Sequence, residues 1–190
     1  LCEPCRRNTA PCIAYVSWKI KSINPKANIV VSPSDHIVTN ETEFRRVIND
    51  CLKFTSDTDA IVTLGMKPSR PETGYGYIQL GKGGDDLRKV KTFTEKPDKA
   101  LAQVLIGTGE FFWNAGIFVW NVETLVQSIR SYAPALARQM DRMAASFYGP
   151  DEAAVVAADF PECENISIDY AVMEKADYIY TLPASFGWSD

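Results

Sequence analysis

Residues 29–36, Ile-Val-Val-Ser-Pro-Ser-Asp-His, decide the fold, because a β-branched run is followed at once by polar residues. The run predicts a buried strand over residues 28–32, and its apolar character on both faces favours a central, parallel position. Pro33 ends the strand, and Asp35 and His36 follow it. Ligands of open α/β sheets bind at the carboxyl ends of strands, which favours a functional site here. A turn-capping Asp35 and a structural His36 explain the same residues equally well.

The flanking segments alternate between helical and strand patterns. Residues 10–23 carry apolar side chains at helical spacing, and Asn40 with Glu43 forms a capping box that begins a second helix. Residues 60–64 are another short apolar strand, so the order strand–helix–strand predicts a βαβ unit with a right-handed crossover. These patterns together predict an α/β fold.

The second half of the chain predicts a hairpin and an interrupted strand. Residues 77–80 and 90–95 are strand patterns on either side of a glycine-rich turn at residues 81–86. Residues 111–120 form an aromatic, β-branched strand pattern that is interrupted by Asn114-Ala115-Gly116, which is typical of a bulge.

Composition narrows the class of protein. The chain has 190 residues, is 46% hydrophobic and carries a formal net charge of −4, which disfavours nucleic acid and anionic membranes as partners. No apolar run reaches membrane-spanning length, and five irregularly spaced cysteines favour the reducing cytoplasm. With no repeat or linker, residues 1–190 are expected to form one domain. The chain begins without Met and stops abruptly, so we expect that domain to be incomplete at both ends.

Two motifs offer contacts to a phosphorylated or hydroxylated ligand. Glu95 and Lys96 stand at a strand end before Pro97, where they supply an acceptor for sugar hydroxyls and a point charge for a phosphate. A solvated surface pair is an equally good explanation. Asn114 lies in an apolar run and needs a partner, which is either a hydroxylated ligand or the backbone of a bulge.

Glycines and a second carboxylate extend this set. Gly74 and Gly76 permit close approach of the backbone to a ligand, although a plain turn is the favoured explanation from these residues alone. Asp190 is a candidate partner for Asp35 at a hard cation such as Mg²⁺, and a frayed chain end is the alternative.

Arg7, Asn8 and Thr9 precede the first predicted helix. They supply hydrogen-bond donors and an anion-attracting helix N-terminus, which suits phosphates and base edges. The alternative is an exposed basic loop in which Thr9 caps the helix.

A set of motifs stands in order along the whole chain: Arg7-Asn8-Thr9-Ala10-Pro11, Pro33-Ser34-Asp35-His36, Thr73-Gly74-Tyr75-Gly76-Tyr77-Ile78, Phe93-Thr94-Glu95-Lys96-Pro97, Trp113-Asn114-Ala115-Gly116-Ile117-Phe118, Ile168-Asp169-Tyr170-Ala171 and Gly187-Trp188-Ser189-Asp190. This ordered set resembles the mannose-1-phosphate guanylyltransferases, also called GDP-mannose pyrophosphorylases. The first and sixth motifs favour the guanylyl, mannose branch over the thymidylyl and uridylyl glucose branches.

The resemblance implies a GT-A-like, Rossmann-like nucleotidyltransferase with a mixed, mostly parallel central sheet flanked by helices. It implies a cytoplasmic, Mg²⁺-dependent transferase that makes GDP-mannose and pyrophosphate from GTP and mannose 1-phosphate, with a homodimer as a candidate assembly. The sugar phosphate would attack the α-phosphorus in line. The alternatives are a nucleotidyltransferase for another hexose 1-phosphate and a non-catalytic sugar-nucleotide-binding regulatory subunit of the same fold.

The resemblance also implies residue roles. Asp35 and Asp190 would hold Mg²⁺, and Lys96 would act with Asp35 in catalysis. The remaining substrate-binding residues would be Gly76, Glu95, Asn114 and Gly116 at the sugar and Arg7, Asn8 and Thr9 at the guanine. The family's N-terminal glycine-rich loop, with its Arg and Lys, has no match before Glu3. We therefore expect a fragment that is inactive on its own.

Overall fold

The computed structural model describes residues 1–80 and 86–190, which divide into two packed units. The sheet unit comprises Val30–Trp120 and Asp177–Asp190, and the helical unit comprises Leu1–Ile29 and Asn121–Ala176. Because this division concerns packing within the chain, the expectation of a single domain stays a prediction.

The helices are α1 (Thr9–Ile23), α2 (Glu41–Asp57), α3 (Lys99–Thr108), α4 (Val122–Tyr132), α5 (Pro134–Ala144) and α6 (Glu152–Asp159). A 3₁₀ turn at Phe160–Glu162 and a π-helical turn at Asp169–Met173 follow α6. The strands are β1 (Asn28–Val31), β2 (Ile37–Val38), β3 (Ile61–Met66), β4 (Gly76–Leu80), β5 (Arg88–Glu95), β6 (Phe111–Asn121), β7 (Ile179–Ala184) and β8 (Trp188–Ser189). Within the described ranges, no helix has both the length and the apolar character needed to cross a bilayer.

The main sheet has the strand order β1-β6-β3-β7-β5-β4. Strands β3 and β7 are parallel, whereas the pairs β3–β6, β4–β5, β4–β6 and β5–β7 are antiparallel. The α/β class with a mixed sheet and flanking helices is therefore confirmed. Among these pairs antiparallel pairing is more frequent than in the mostly parallel sheet that was expected. Strands β4 and β5, for example, are successive strands that pair with each other, whereas a parallel pair requires a long crossover.

Among the described strands, the first strand does not lie in the central position that was predicted. Strand β1 ends the sheet order in the described part of the chain, and Val30 is 38% exposed. Strand β6 lies between β1 and β3 in the sheet. The two strands of the predicted βαβ unit are therefore not neighbours, because a strand from much later in the chain separates them. Long-range pairing decides between edge and centre, and an apolar run alone does not reveal it.

The predicted hairpin is confirmed in its two strands. Strands β4 and β5 pair antiparallel, from Gly76 opposite Glu95 to Leu80 opposite Val90. Most of the predicted turn, residues 81–85, lies outside the described residues.

Helix α2 packs its inward face on the core of the sheet unit. Val47 and Cys51 are fully buried, and β3 is buried along its whole length. The Asn40 side chain accepts from the Glu43 N–H at 3.1 Å, as the capping box predicts. The Glu43 carboxylate pairs with Arg46, and the Asn40 N–H donates to the Phe186 carbonyl at 2.9 Å, so only half of the box forms.

A second, two-stranded sheet joins β2 to β8. The strands are antiparallel, with Ile37 opposite Ser189 and Val38 opposite Trp188, so the alternative of a frayed end is wrong. The turn into β8 depends on Gly187, which has φ +65°. The Gly187 carbonyl accepts from the Thr39 N–H at 3.0 Å, and a Cβ at residue 187 would collide with the Thr39 hydroxyl.

In the helical unit, a partly buried ion pair joins α1 to the start of α6. Lys19 is 9% exposed, its ammonium pairs with Glu152, and it lies 4.4 Å from the centroid of the Tyr148 ring. The hydrogen bond from Lys19, followed by that from the Tyr148 N–H, lowers the pKa of Glu152. The carboxylate also accepts from the Tyr15 hydroxyl at 3.2 Å, so one anion fixes three groups around α1.

We expect Gly187→Ala to lower the free energy of unfolding by about 1–3 kcal/mol, because the alanine combines a left-handed backbone with a clash at Thr39. The matched control is Gly107→Ala in α3, where a Cβ meets nothing within 4 Å. The control should be neutral or more stable by up to about 1 kcal/mol. Chemical denaturation measures both changes, and equal stabilities of the two variants would contradict the turn at Gly187.

Candidate functional site

Three of the predicted sugar contacts lie together in the sheet unit. Gly76 and Glu95 are opposite each other in the pairing of β4 with β5. A Cβ built at residue 76 would lie 2.5 Å from Glu95 Oε2 and 3.3 Å from the Asn114 Cβ. Glycine at this position leaves room for the Glu95 carboxylate, which would have to shift if residue 76 carried a side chain.

Lys96 follows Glu95 in a left-handed backbone conformation, with φ +47°. Its N–H donates to the Tyr75 carbonyl at 3.1 Å, and its Nζ lies 3.2 Å from Glu95 Oε1. Strand β5 ends at Glu95, so the alternation of faces stops there and the acid and the base meet. The Glu95 side chain is only 6% exposed and that of Lys96 is 53% exposed, which differs from a pair of solvated surface charges.

Asn114 supports the bulge in β6 through its side-chain oxygen. Its Oδ1 accepts from the Thr63 hydroxyl at 2.7 Å and from the Gly116 N–H at 3.2 Å. Gly116 has φ +68°, and the pairing of β3 with β6 shifts register between Thr63 and Gly65. These contacts favour the structural explanation for the Asn114 oxygen, and a sugar contact by this residue stays a prediction.

The bulge also lies against the segment that carries Asp35. A Cβ at residue 116 would lie 3.6 Å from the Pro33 side chain, two residues before Asp35. The bulge therefore lies beside the segment that carries the predicted metal ligand, within the sheet unit.

The pairing of β2 with β8 brings the two predicted metal ligands to one end of the small sheet. Since Ile37 stands opposite Ser189, continuing the register places His36 opposite Asp190, with Asp35 one residue further on. Asp35 and Asp190 are both exposed.

This donor set fits Mg²⁺ better than a closed protein cage. Within residues 1–80 and 86–190 there is no cluster of three or more His, Cys, Asp or Glu side chains suited to a metal ion. Mg²⁺ usually takes one or two carboxylates and completes its octahedron with water and substrate phosphate. Two neighbouring, exposed carboxylates meet that requirement, and their role as ligands stays a prediction.

Tyr75 contacts this end of the site, and sequence reasoning gave it no role beyond separating two glycines. Its hydroxyl donates to Asp190 Oδ1. Burial, and after it this hydrogen bond, raises the pKa of Tyr75 to about 12. Its ring packs edge-on against Trp113 and Trp188, with ring centroids 5.2 and 5.4 Å away.

His36 has a structural partner. The Trp188 indole N–H donates to His36 Nδ1 at 3.0 Å, and the two rings are nearly perpendicular at 87°. This pairing favours the structural explanation for His36.

The predicted guanine contacts lie in the helical unit. Asn8, with φ +66°, is the N-cap of α1, and its side chain accepts from the Thr9 N–H at 2.9 Å. Thr9 as the cap is therefore wrong: its hydroxyl accepts from the Ile168 N–H at 2.9 Å and ties α1 to the π-helical turn. Arg7 is half-buried, and its Nε has no hydrogen-bond partner among the described residues.

Comparison with known proteins gives a family match along the whole chain. The family model described as nucleotidyl transferase matches residues 1–190. The xanthan biosynthesis protein XanB of Xanthomonas campestris pv. campestris (strain B100) is 36% identical over 193 residues, covering 100% of this chain and 40% of that protein. A mannose-1-phosphate guanylyltransferase of Escherichia coli is 36% identical over 196 residues, covering 99% of this chain and 42% of that protein. The chain thus spans about two fifths of the length of these curated relatives.

Among solved structures, one described as a mannose-1-phosphate geranyltransferase from Thermus thermophilus matches with a TM-score of 0.88 and 30% identity. The match covers 100% of this chain and 53% of that one. A structure described as a mannose-6-phosphate isomerase from Helicobacter pylori matches with a TM-score of 0.84 and 25% identity, over 99% of this chain and 72% of that one.

The hydrogen bond between Thr63 and Asn114 can be measured by a double-mutant cycle. Asn114→Ala should lower the free energy of unfolding by about 1–3 kcal/mol, because the Thr63 hydroxyl and the Gly116 N–H lose their buried acceptor. Combined with Thr63→Val, it should show a coupling energy of at least about 0.5 kcal/mol.

The control for that cycle is Thr92→Val, whose hydroxyl bonds Gln79 at the surface. Its effect should add to that of Asn114→Ala within about 0.5 kcal/mol. Zero coupling between Thr63→Val and Asn114→Ala would contradict the structural role of Asn114 in the bulge.

Proposed function

Because the chain belongs to the nucleotidyl transferase family, we propose that the protein carrying it transfers a guanylyl group from GTP to mannose 1-phosphate. The products are GDP-mannose and pyrophosphate. The observation that carries the proposal is the gathering of Gly76, Glu95 and Lys96 in the same unit as the carboxylates of Asp35 and Asp190. The relative named mannose-1-phosphate guanylyltransferase supports the choice of GTP and mannose.

In this proposal the sugar end of the site binds by hydrogen bonds and charge. Glu95, held beside Gly76, accepts hydrogen bonds from sugar hydroxyls, and Lys96 places its ammonium near the sugar phosphate. The left-handed backbone at Lys96 directs the base toward the same side as the acid. Both groups are therefore oriented before the substrate arrives, which lowers the entropy lost on reaching the reactive geometry.

Chemistry at the phosphates consists of one displacement. A phosphate oxygen of mannose 1-phosphate forms a bond to the α-phosphorus of GTP, and the bond from that phosphorus to the bridging oxygen of pyrophosphate breaks. Asp35 and Asp190 would hold Mg²⁺, which neutralises the charge on the reacting and leaving phosphates when it is bound. The attacking oxygen is already ionised at neutral pH, so no general base is needed and His36 can remain paired with Trp188.

The test measures pyrophosphate release from GTP and mannose 1-phosphate by the full-length protein, with and without Mg²⁺. Lys96→Ala should lower kcat/KM by about 10²-fold, since one cation at the transferring phosphate is lost. Lys91→Ala, an exposed lysine on the same strand, is the matched control and should match the wild type.

Substrate competition tests the choice of base and sugar. The proposal expects GTP to be used in preference to ATP, UTP and dTTP, and mannose 1-phosphate in preference to glucose 1-phosphate. Faster reaction with another hexose 1-phosphate would support the first alternative. Nucleotide-sugar binding without pyrophosphate release would support a regulatory subunit. Cytoplasmic location and a homodimer stay predictions.

A further inference from the structure

We propose that Tyr75 is a positioning residue that ties the Asp190 carboxylate to the backbone of Lys96 and so couples the metal end of the site to the sugar-phosphate end. The inference rests on the proposed function, because it takes Asp190 as a metal ligand and Lys96 as a phosphate contact. It adds a residue to which neither the motifs nor the family match assigns a role.

Tyr75 contacts both ends of the site at once. Its hydroxyl donates to Asp190 Oδ1, while its carbonyl accepts from the Lys96 N–H at 3.1 Å. The two contacts leave from opposite ends of one residue, and a tyrosine has only two side-chain torsions. A rigid ring therefore transmits the position of the strand end at Lys96 to the carboxylate.

The ring itself is held on two sides. Trp113 and Trp188 pack edge-on against it, at interplanar angles of 78° and 64°. Trp188 is fixed in turn by its hydrogen bond to His36 and by its place opposite Val38. Packing thus sets the position of the phenol, and the hydrogen bond to Asp190 follows from that position.

Positioning matters here because Asp190 is an exposed side chain that directly follows a strand of only two residues. An exposed carboxylate loses rotamer freedom when it binds a cation, which weakens binding. A donor that already orients one of its oxygens removes part of that loss, as outer hydrogen bonds do for metal ligands in general. On the other side, His36 is held by Trp188, and Asp35 is its chain neighbour. The contacts among Tyr75, Trp188 and His36 therefore extend from the Asp190 carboxylate to the residue next to Asp35.

The experiment compares Mn²⁺ binding to full-length wild-type protein, Tyr75→Phe and Tyr77→Phe, by electron paramagnetic resonance in the presence of GTP. Tyr75→Phe keeps the ring and removes the donor to Asp190, so the dissociation constant should rise about tenfold. Tyr77→Phe is the matched control, because it loses a phenol hydrogen bond to the Glu72 carbonyl, which is not a metal ligand. Its Mn²⁺ affinity should stay within about twofold of the wild type.

A third variant, Asp190→Asn, separates this inference from the proposed function. If wild-type protein binds no Mn²⁺, or if Asp190→Asn binds it as the wild type does, the metal role of Asp190 fails and the proposed mechanism fails with it. If Asp190→Asn weakens binding while Tyr75→Phe matches the wild type, only the role of Tyr75 is overturned.

Melting temperatures without metal report whether each variant is folded, and Trp188→Phe provides a second variant should Tyr75→Phe fail to fold. Trp188→Phe removes the N–H that holds His36, and we expect it also to weaken Mn²⁺ binding.

Discussion

The antiparallel pairing of β2 with β8 joins segments that lie 152 residues apart, and the candidate metal site depends on it. Gly187 makes this pairing possible, because its left-handed backbone and missing side chain let the chain pass Thr39 closely. The register places Asp35 and Asp190 at one end of the pair. Mg²⁺ usually takes one or two carboxylates and completes its octahedron with water and phosphate, so the candidate site depends on the turn that brings both carboxylates to this end.

The sugar end of the candidate site depends on backbone geometry in the same way. The end of β5 and the left-handed residue Lys96 bring neighbouring acid and base side chains to one side, although a regular strand would separate them. Gly76 leaves room for the Glu95 carboxylate, and the bulge at Gly116 approaches Pro33. A positive φ is costly for a residue other than glycine, and Asn8 and Lys96, both proposed to bind substrate, adopt one, as does Tyr148 elsewhere in the chain.

Local sequence patterns predicted most helices and strands, including the cap at Asn40 and the bulge near Asn114, because these features depend on neighbouring residues. They did not predict that β1 ends the sheet order in the described part of the chain, or that β6 lies between β1 and β3. Nor did they reveal Tyr75, since its hydrogen bond to Asp190 spans 115 residues and nothing in a Gly-Tyr-Gly sequence indicates such a partner. The ordered motifs identified Asp35, Glu95, Lys96 and Asp190 as candidate site residues. The distances between these residues in the fold depend on the pairing of β2 with β8 and on the end of β5.

The most direct test of the central claim, that Asp35 and Asp190 hold one divalent cation, is anomalous X-ray diffraction from Mn²⁺ in crystals of the full-length protein grown with GTP. The account predicts one anomalous peak at about 2.0–2.3 Å from an oxygen of each carboxylate, at the end of the β2–β8 pair. A peak coordinated by only one of these two residues, or by neither, would contradict it.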